Sequence, residues 1–414
     1  MGILGSKKPL IVQKYGGATL ADPSKIRSVA ARIAEKAQTH HLIIAVSAMG
    51  QTTNQLIDLA QQVSSNPARR EMDMLLTTGE RISMALLSMA LNDLKCPAIS
   101  FTGSQAGILT DDSHVSAFIQ DLKPIRVEQA LRDKKVVVIA GFQGVSPITK
   151  EITTLGRGGT DTTAVAMAAH FEAERCEILK DVAGVYSADP KLVPEAHPLH
   201  QLNYDQLLEM TFWGAKVLHY RSVELARNRN VVLYIGPAGD TLSAGTLVQK
   251  PLKGVNMFEL SKPLSINSHE TVLQLTMKDV KAPKALEVLE HHLSEKQIAF
   301  PQILRMHPLT HLENRQEGTE FLVTGPLEMM RAIEKEVASL PISTSLKKFS
   351  TVTLTCSGAT SSQLYSQILG HLEQKQLQFE ELLVSAMSIT LVINQDIRDK
   401  AVQLLHNWCQ PALQ

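Results

Sequence analysis

The chain has 414 residues, in which 41 Lys and Arg balance 41 Asp and Glu, and 44% of its positions are hydrophobic. Zero net charge argues against a basic surface for nucleic acid or a membrane, and no apolar run approaches the roughly 20 residues of a membrane-spanning helix. The four isolated cysteines favour a reducing, cytoplasmic compartment and lack metal-ligand spacing, so no resident metal site is predicted. These features predict a soluble globular protein of two to four domains.

The first 250 residues alternate between apolar strand patterns and helical patterns. Continuous β-branched runs such as 42–46 and 136–140 are typical of strands covered on both faces, as in parallel sheets. The predicted strands are 10–12, 42–46, 136–140 and 177–180, and the predicted helices are 23–39, 54–63, 72–91, 162–171 and 204–218. This alternation predicts a doubly wound α/β domain over residues 1–250.

The pattern changes after residue 250, where Pro251, Gly254 and Pro263 indicate a linker over 250–264. Two units with the order strand, helix, strand, strand, helix follow. Their predicted elements are 271–277, 282–296, 298–304, 320–323 and 327–337, then 350–355, 361–374, 379–384, 388–393 and 397–408. The repeated order predicts two small α+β domains, at 265–340 and 341–414.

Phosphate-binding patterns are the first chemical feature to test. A P-loop, a G-x-G-x-x-G turn after the first strand and the protein-kinase signatures are all missing from the sequence. The first strand instead ends in Lys14, Tyr15, Gly16 and Gly17. Paired glycines allow backbone N–H groups to approach phosphate oxygens, and the lysine adds a positive charge.

A second glycine cluster, residues 153–163, leads directly into the predicted helix at 162–171. Glycines before a helix N-terminus favour anion binding, and Arg157 can bind a carboxylate or phosphate through two hydrogen bonds. Asp161 has a simpler alternative role as a helix N-cap. A third segment, 180–191, has a spacing that by itself also fits an ordinary loop after a strand.

Seven segments together resemble the aspartokinase family. In chain order they are 14–17, 47–50 with Thr52 and Thr53, 78–80, 101–107, 156–161, 181–191 and 214–219. The resemblance covers about residues 10–248. It implies the amino acid kinase fold, a three-layer α/β/α arrangement around a mainly parallel sheet, and the two C-terminal domains stand where that family carries ACT domains.

The resemblance also implies a reaction. It is the ATP-dependent phosphorylation of the side-chain carboxylate of L-aspartate to 4-phospho-L-aspartate, with Mg²⁺, at the start of lysine, threonine and methionine biosynthesis. The implied catalytic residues are Lys14 and Asp161, and the implied aspartate-binding residues are Ser47, Thr53, Glu80, Arg157 and Thr160. The implied nucleotide-binding residues are Lys14, Tyr15, Gly16, Gly17, Lys180, Asp181, Tyr186, Asp189, Pro190, Lys191, Lys216 and Val217. A homodimer formed through the ACT-like domains is expected as well.

Some positions depart from the family pattern. Ala18 replaces a hydroxyl residue, Lys180 a frequent threonine, Lys191 a common arginine and Tyr220 a proline. Neither C-terminal domain keeps the family's full Gly/Pro-containing turn between strand and helix. We therefore expect the ACT-like shape to serve dimer contacts while feedback by lysine or threonine is weakened or lost.

Two other functions stay open at this stage. One is a kinase for another acidic small molecule, such as glutamate or N-acetylglutamate. The other is a non-catalytic sensor that binds a nucleotide or an amino acid, which the departures at Ala18 and Lys180 keep open. Assay of acyl-phosphate formation with the three acids distinguishes these functions.

Overall fold

The computed structural model describes residues 8–238, 245–250, 262–296, 298–310 and 317–413. Most of the linker predicted at 250–264 lies outside the described residues. The described chain forms two compact units. The first takes in residues from 1–185, 198–211 and 216–255, and the second takes in residues from 186–197, 212–215 and 256–414.

Short strands and helices alternate through the first half of the chain. Its strands are β1 (Leu10–Tyr15), β2 (His41–Val46), β3 (Ala98–Phe101), β4 (Ile108–Thr110), β5 (Ile119–Leu122), β6 (Val136–Ala140), β7 (Gln143–Val145), β8 (Ile152–Thr154), β9 (Arg175–Leu179), β10 (Val185–Tyr186), β11 (Pro198–Leu199), β12 (Gln201–Leu202), β13 (Leu233–Gly236) and β14 (Thr246–Val248). Its helices are α1 (Pro23–Lys36), α2 (Thr52–Val63), α3 (Arg69–Asp93), α4 (Ile125–Arg132), α5 (Gly159–His170), α6 (Tyr204–Phe212) and α7 (Tyr220–Arg229).

An eight-stranded sheet forms the centre of the first unit. Its strand order is β12-β14-β13-β9-β1-β2-β6-β3, and the pairings of β1 with β2 and β9 are parallel. Alternate side chains of β1 pack on one face with α1 and α3, in a core that includes Ile11, Ile33 and Leu91. Helix α5 lies on the other face, where Val12 and Ile178 are buried. The predicted α/β fold with a mainly parallel sheet is confirmed.

A second, four-stranded sheet in the first unit was not predicted. Its order is β5-β4-β7-β8, and its strands are only three or four residues long, too short for a clear apolar alternation. Strand β8 pairs antiparallel with β7 and leads directly into the glycine cluster before α5. This sheet therefore fixes where that cluster begins.

Among the described residues from 263 onward, the second unit has strands of 4 to 16 residues and four α-helices. These elements are β15 (Pro263–Lys278), α8 (Ala282–Glu295), β16 (Gln302–Thr310), β17 (Glu317–Thr324), α9 (Leu327–Val337), β18 (Thr344–Cys356), α10 (Ser362–Gln374), β19 (Glu381–Val384), β20 (Ser388–Ile393) and α11 (Arg398–Leu413). The strand predicted at 298–304 overlaps β16 only at residues 302–304, because β16 begins at Gln302 and continues to Thr310. In the part of the chain that the structure describes, no helix has both the length and the apolarity to cross a membrane.

One antiparallel sheet with the order β16-β17-β15-β18-β20-β19 serves both predicted C-terminal domains. Helices α8 and α9 cover one apolar cluster on it, and α10 and α11 cover another. The strand pair β15–β18 runs through both halves, from Pro263 opposite Cys356 to Met277 opposite Thr344. The two halves therefore share their central strands, and the domain boundary at 340/341 stays a prediction.

The helix predicted over 204–218 is wrong at its C-terminal end. Helix α6 ends at Phe212, and α7, which was not predicted, begins at Tyr220. Between them Gly214 has φ +103°, and a Cβ placed there would lie 2.4 Å from the carbonyl oxygen of Ser268. The apolar periodicity continues through this turn, so pattern alone could not reveal the break.

We predict that Gly214→Ala destabilises the chain by at least about 2 kcal/mol, because it adds both backbone strain and a backbone clash. The matched control is Gly370→Ala in α10, where an added Cβ meets nothing within 4 Å. There the loss of glycine flexibility should stabilise the chain by about 0.5–1 kcal/mol. Urea unfolding of both variants measures the difference, and equal midpoints would contradict this account.

Candidate active site

A buried ion pair joins the carboxyl end of β1 to the first turn of α5. Lys14 Nζ lies 2.7 Å from Asp161 Oδ1, and the two side chains are only 11% and 9% exposed. Asp161 in the first turn is also favoured by the helix dipole. A buried lysine beside the free N–H groups of a helix N-terminus is suited to bind phosphate oxygens.

The loops that follow β1 and β2 meet beside this pair. The Ser47 N–H donates to the carbonyl of Tyr15 at 3.1 Å, and the Gly50 N–H donates to the carbonyl of Gly17 at 3.0 Å. A Cβ on Gly17 would lie 2.6 Å from the carbonyl oxygen of Ala48, so only glycine permits this approach. The predicted Gly16–Gly17 turn and the predicted substrate residue Ser47 are thus brought together.

Glu80 extends from α3 toward the same loops. Its Oε1 accepts a hydrogen bond from the Ala48 N–H at 3.0 Å. The residue as a whole is only 4% exposed. Its Oε2 is buried and has no hydrogen-bond partner among the described residues. Burial raises the pKa of Glu80 to about 7, although the Ala48 N–H opposes the shift. A buried carboxylate oxygen of this kind can accept a ligand ammonium group.

Arg157 and Thr160 lie at the N-terminus of α5. Arg157 is exposed, and Thr160 is buried one residue before Asp161. Gly158 is the N-cap with φ +69°, and a Cβ there would lie 2.2 Å from the Cβ of His219. The close approach of His219 therefore fixes the backbone next to Arg157. The remaining predicted substrate residue, Thr53, is half-buried near the start of α2.

Lys180 follows β9 and is held by backbone groups. Its Nζ donates to the carbonyl of Val217, and its N–H donates to the carbonyl of Gly236 at 2.9 Å. Burial lowers the pKa of Lys180, and the charge of Asp161 opposes that shift. The departure from the family pattern at this position thus links two segments that were predicted to bind the nucleotide. Asp181 and Lys216, their neighbours, are exposed.

The remaining predicted nucleotide residues belong to the second compact unit. They are Tyr186, Asp189, Pro190 and Lys191. Within this turn, Asp189 Oδ1 accepts a hydrogen bond from the Lys191 N–H at 3.0 Å. Their role in nucleotide binding stays a prediction.

Three polar residues around the glycine cluster were missed as site residues. The Arg221 guanidinium donates to the carbonyls of Leu155 at 3.0 Å and Ala117 at 2.9 Å. Burial lowers the pKa of His219 to about 4, so its ring is neutral at pH 7. Asp73 is fully buried on α3, seven residues before Glu80. A seven-residue spacing places both carboxylates on one helix face, which was the available signal.

The described side chains do not form a metal site by themselves. In the ranges described, no group of three or more His, Cys, Asp or Glu residues could hold a metal ion. Asp161 is the carboxylate paired with Lys14, and Mg²⁺ characteristically binds through one or two carboxylates together with substrate phosphates and water. The residues present fit a metal that is held largely by a bound nucleotide.

Comparison with known proteins agrees with this fold. The family model described as "Amino acid kinase family" matches residues 9–236. The aspartokinase of Mycobacterium tuberculosis H37Rv is 52% identical over 249 residues, which span 60% of this chain and 59% of that protein. The aspartokinase of Corynebacterium glutamicum is 38% identical over 415 residues, with 97% of this chain and 96% of that protein covered.

Two solved structures extend the comparison. Escherichia coli aspartokinase III, in complex with aspartate and ADP, has a TM-score of 0.73 at 20% identity and covers 96% of this chain and 99% of its own. At that identity the likeness shows the fold alone. The aspartate kinase from Synechocystis is 35% identical with a TM-score of 0.53, and the match covers 97% of this chain and 69% of that one.

A mainly parallel sheet with a lysine-containing glycine turn at its carboxyl edge, facing a glycine-rich helix N-terminus, defines an α/β class without a P-loop. The family match gives that class its name. The chain belongs to the amino acid kinase family and, by its near full-length similarity to the Corynebacterium protein, to the aspartokinases within it.

Glu80 gives a prediction about stability against pH. Its pKa in the folded chain lies above the ordinary 4.5, so folding disfavours the ionised form and stability falls as pH rises from about 4.5 to 7. Glu80→Gln stays neutral and should stabilise the ligand-free chain by about 3 kcal/mol at pH 8, with little change at pH 4.5. Urea unfolding at both pH values measures this effect.

The matched control is Glu177→Gln, since Glu177 is equally buried but pairs with Arg175 at 2.7 Å. Removing that charge leaves a buried guanidinium with less compensation, so the control should lose stability at pH 8. Loss of stability at pH 8 in Glu80→Gln as well would contradict the conclusion that burial disfavours the ionised form of Glu80.

Proposed function

We propose that this chain transfers the γ-phosphoryl group of ATP to the side-chain carboxylate of L-aspartate, forming 4-phospho-L-aspartate. The observation that carries the proposal is the buried Lys14–Asp161 pair at the junction of β1 and α5. The buried Oε2 of Glu80 on α3, which has no hydrogen-bond partner among the described residues, supports an amino-acid substrate. Full-length similarity to an aspartokinase supports aspartate as that substrate.

Phosphoryl transfer depends mainly on the positioning of the reactants and the neutralisation of negative charge, and little on covalent bonds to protein side chains. The attacking carboxylate is already ionised at neutral pH, so no general base is needed. As the γ-phosphoryl group moves, negative charge is spread over its equatorial oxygens, and Lys14 stabilises that charge together with the Gly16 and Gly17 N–H groups. Asp161 holds the Lys14 ammonium in place through the 2.7 Å ion pair.

Aspartate binding uses groups from three elements. The Arg157 guanidinium binds the carboxylate that does not react, through paired hydrogen bonds. Glu80 accepts the substrate ammonium, and the ionised form of Glu80 is then stabilised by the charge it binds. Ser47, Thr53 and Thr160 add hydroxyl or backbone hydrogen bonds around the substrate.

The nucleotide is proposed to lie along the segments at Lys180–Asp181 and Lys216–Val217, which the Lys180–Val217 hydrogen bond joins. Nucleotide contacts by Tyr186, Asp189, Pro190 and Lys191 stay a prediction from the family resemblance. Mg²⁺ bound to the phosphates would neutralise charge on the transferred group. Asp161 is the side chain that would hold it, with the phosphates supplying other ligands.

The proposal also includes a homodimeric assembly and a cytoplasmic location. A homodimer through the ACT-like domains is supported by similarity to aspartokinases along nearly the whole chain. A cytoplasmic location is supported by the use of ATP and by four free cysteines. Weakened feedback by lysine or threonine stays a prediction.

The purified chain should consume ATP with L-aspartate and yield aspartyl hydroxamate when the acyl phosphate is trapped with hydroxylamine. L-Glutamate and N-acetyl-L-glutamate serve as control substrates and should yield no hydroxamate. Product from either of them instead would assign the chain to another acidic substrate. Nucleotide binding without any turnover would identify a sensor.

Lys14→Ala and Asp161→Ala should each lower kcat by two orders of magnitude or more, roughly the effect of removing one preorganised charge from a developing transition state. Lys14→Arg keeps the charge but not the geometry and should retain more activity than Lys14→Ala. Arg27→Ala, which removes an exposed cation from α1, serves as the control with unchanged kcat. Near-normal kcat in both alanine variants would refute these roles.

A further inference from the structure

Asp73 is a buried carboxylate that the proposed reaction does not use. The residue is fully buried on α3, and its oxygens accept four hydrogen bonds from three donors. Oδ1 accepts from Thr154 Oγ1 at 2.5 Å and from the Val115 N–H at 3.1 Å. Oδ2 accepts from His114 Nδ1 at 2.7 Å and from the same Val115 N–H at 3.2 Å. Such a carboxylate is retained in a core only when its partners compensate its charge.

One of these partners has an unfavourable backbone conformation. Val115 has φ +72°, a left-handed conformation in which a β-branched residue is a clear outlier. A strained residue persists only where its surroundings hold it, and the Asp73 carboxylate holds the Val115 N–H. The strained turn is therefore tied to α3 through Asp73.

The Val115 turn lies directly against the glycine cluster. A Cβ on Gly156 would lie 3.0 Å from the Val115 carbonyl oxygen, so the two backbones are in close contact. The Ala117 N–H also donates to the Thr154 carbonyl at 2.8 Å. Asp73 thus holds the segment 154–156 at two points, through the Thr154 side chain and through the Val115 turn that packs on Gly156. Arg157 is the next residue in the chain.

We propose that Asp73 is a positioning residue for Arg157. By bonding Thr154 and holding the strained Val115 turn against Gly156, it fixes the backbone from which the Arg157 guanidinium reaches the substrate carboxylate. Asp73 touches neither substrate nor nucleotide in this arrangement. The inference rests on the proposed function, because it takes Arg157 to be a ligand of L-aspartate.

The first test separates aspartate binding from the chemical step. Asp73→Ala should raise KM for L-aspartate about tenfold or more, while KM for ATP and kcat at saturating aspartate change less than about threefold, since displacement of a binding group acts on the substrate it binds. Steady-state kinetics and calorimetric titration with L-aspartate provide two independent readouts.

A pair of less disruptive variants at Thr154 keeps the test valid if Asp73→Ala does not fold. Thr154→Val removes the hydroxyl donor at constant shape and should raise KM for L-aspartate about threefold or more, whereas Thr154→Ser keeps the donor and should stay within about twofold of the wild type. Equal KM values for the two Thr154 variants would overturn the proposal.

The Val115 strain supplies a rescue experiment. Glycine adopts φ +72° without strain, so Val115→Gly placed in the Asp73→Ala or Thr154→Val background should lower KM for L-aspartate toward the wild-type value. A merely structural Asp73 would give recovery of melting temperature without recovery of KM, and that result would overturn the proposal.

Leu91→Ala serves as the stability control, because Leu91 is fully buried on the same helix in the apolar core with α1. It should lower the melting temperature without changing KM for L-aspartate. A folded Asp73→Ala variant with wild-type KM overturns this inference alone. A wild-type chain that neither binds nor phosphorylates L-aspartate overturns the proposed function and this inference with it.

Discussion

The Lys14–Asp161 ion pair is the interaction on which the rest of the site depends. It joins the central strand β1 to the N-terminus of α5, and both side chains are almost fully buried. Buried charges are stable only when each compensates the other, so the pair requires the β1 edge and the α5 terminus to stay together. The Gly16–Gly17 turn and the glycine cluster are brought to one place for the same reason.

Around this pair the molecule holds two energetically unfavourable features, one electrostatic and one conformational. The Glu80 carboxylate has one oxygen without a partner among the described residues, and burial raises its pKa. Val115 adopts a left-handed backbone conformation. Strain and unpaired charge of this kind concentrate where a ligand or a neighbouring segment compensates them. In the proposed function, substrate would relieve the first, and the Asp73 hydrogen bonds hold the second.

The C-terminal unit follows a different principle. Its two halves share the long strands β15 and β18 within one antiparallel sheet. The two halves are therefore joined by continuous strand pairing. This arrangement was not evident from the repeated strand and helix order, because the pattern of one strand does not show which strand pairs with it.

The sequence by itself determined the α/β class, the order of the main elements and the segments that carry Lys14, Glu80, Arg157 and Asp161. It could do so because apolar periodicity, glycine turns and spaced motifs are local properties of the chain. Only the tertiary structure decided the break at Gly214 and the hydrogen-bond partners of Asp73 and Arg221. Those depend on contacts between residues far apart in sequence, such as Asp73 with Thr154, and burial and strain arise only when such residues meet.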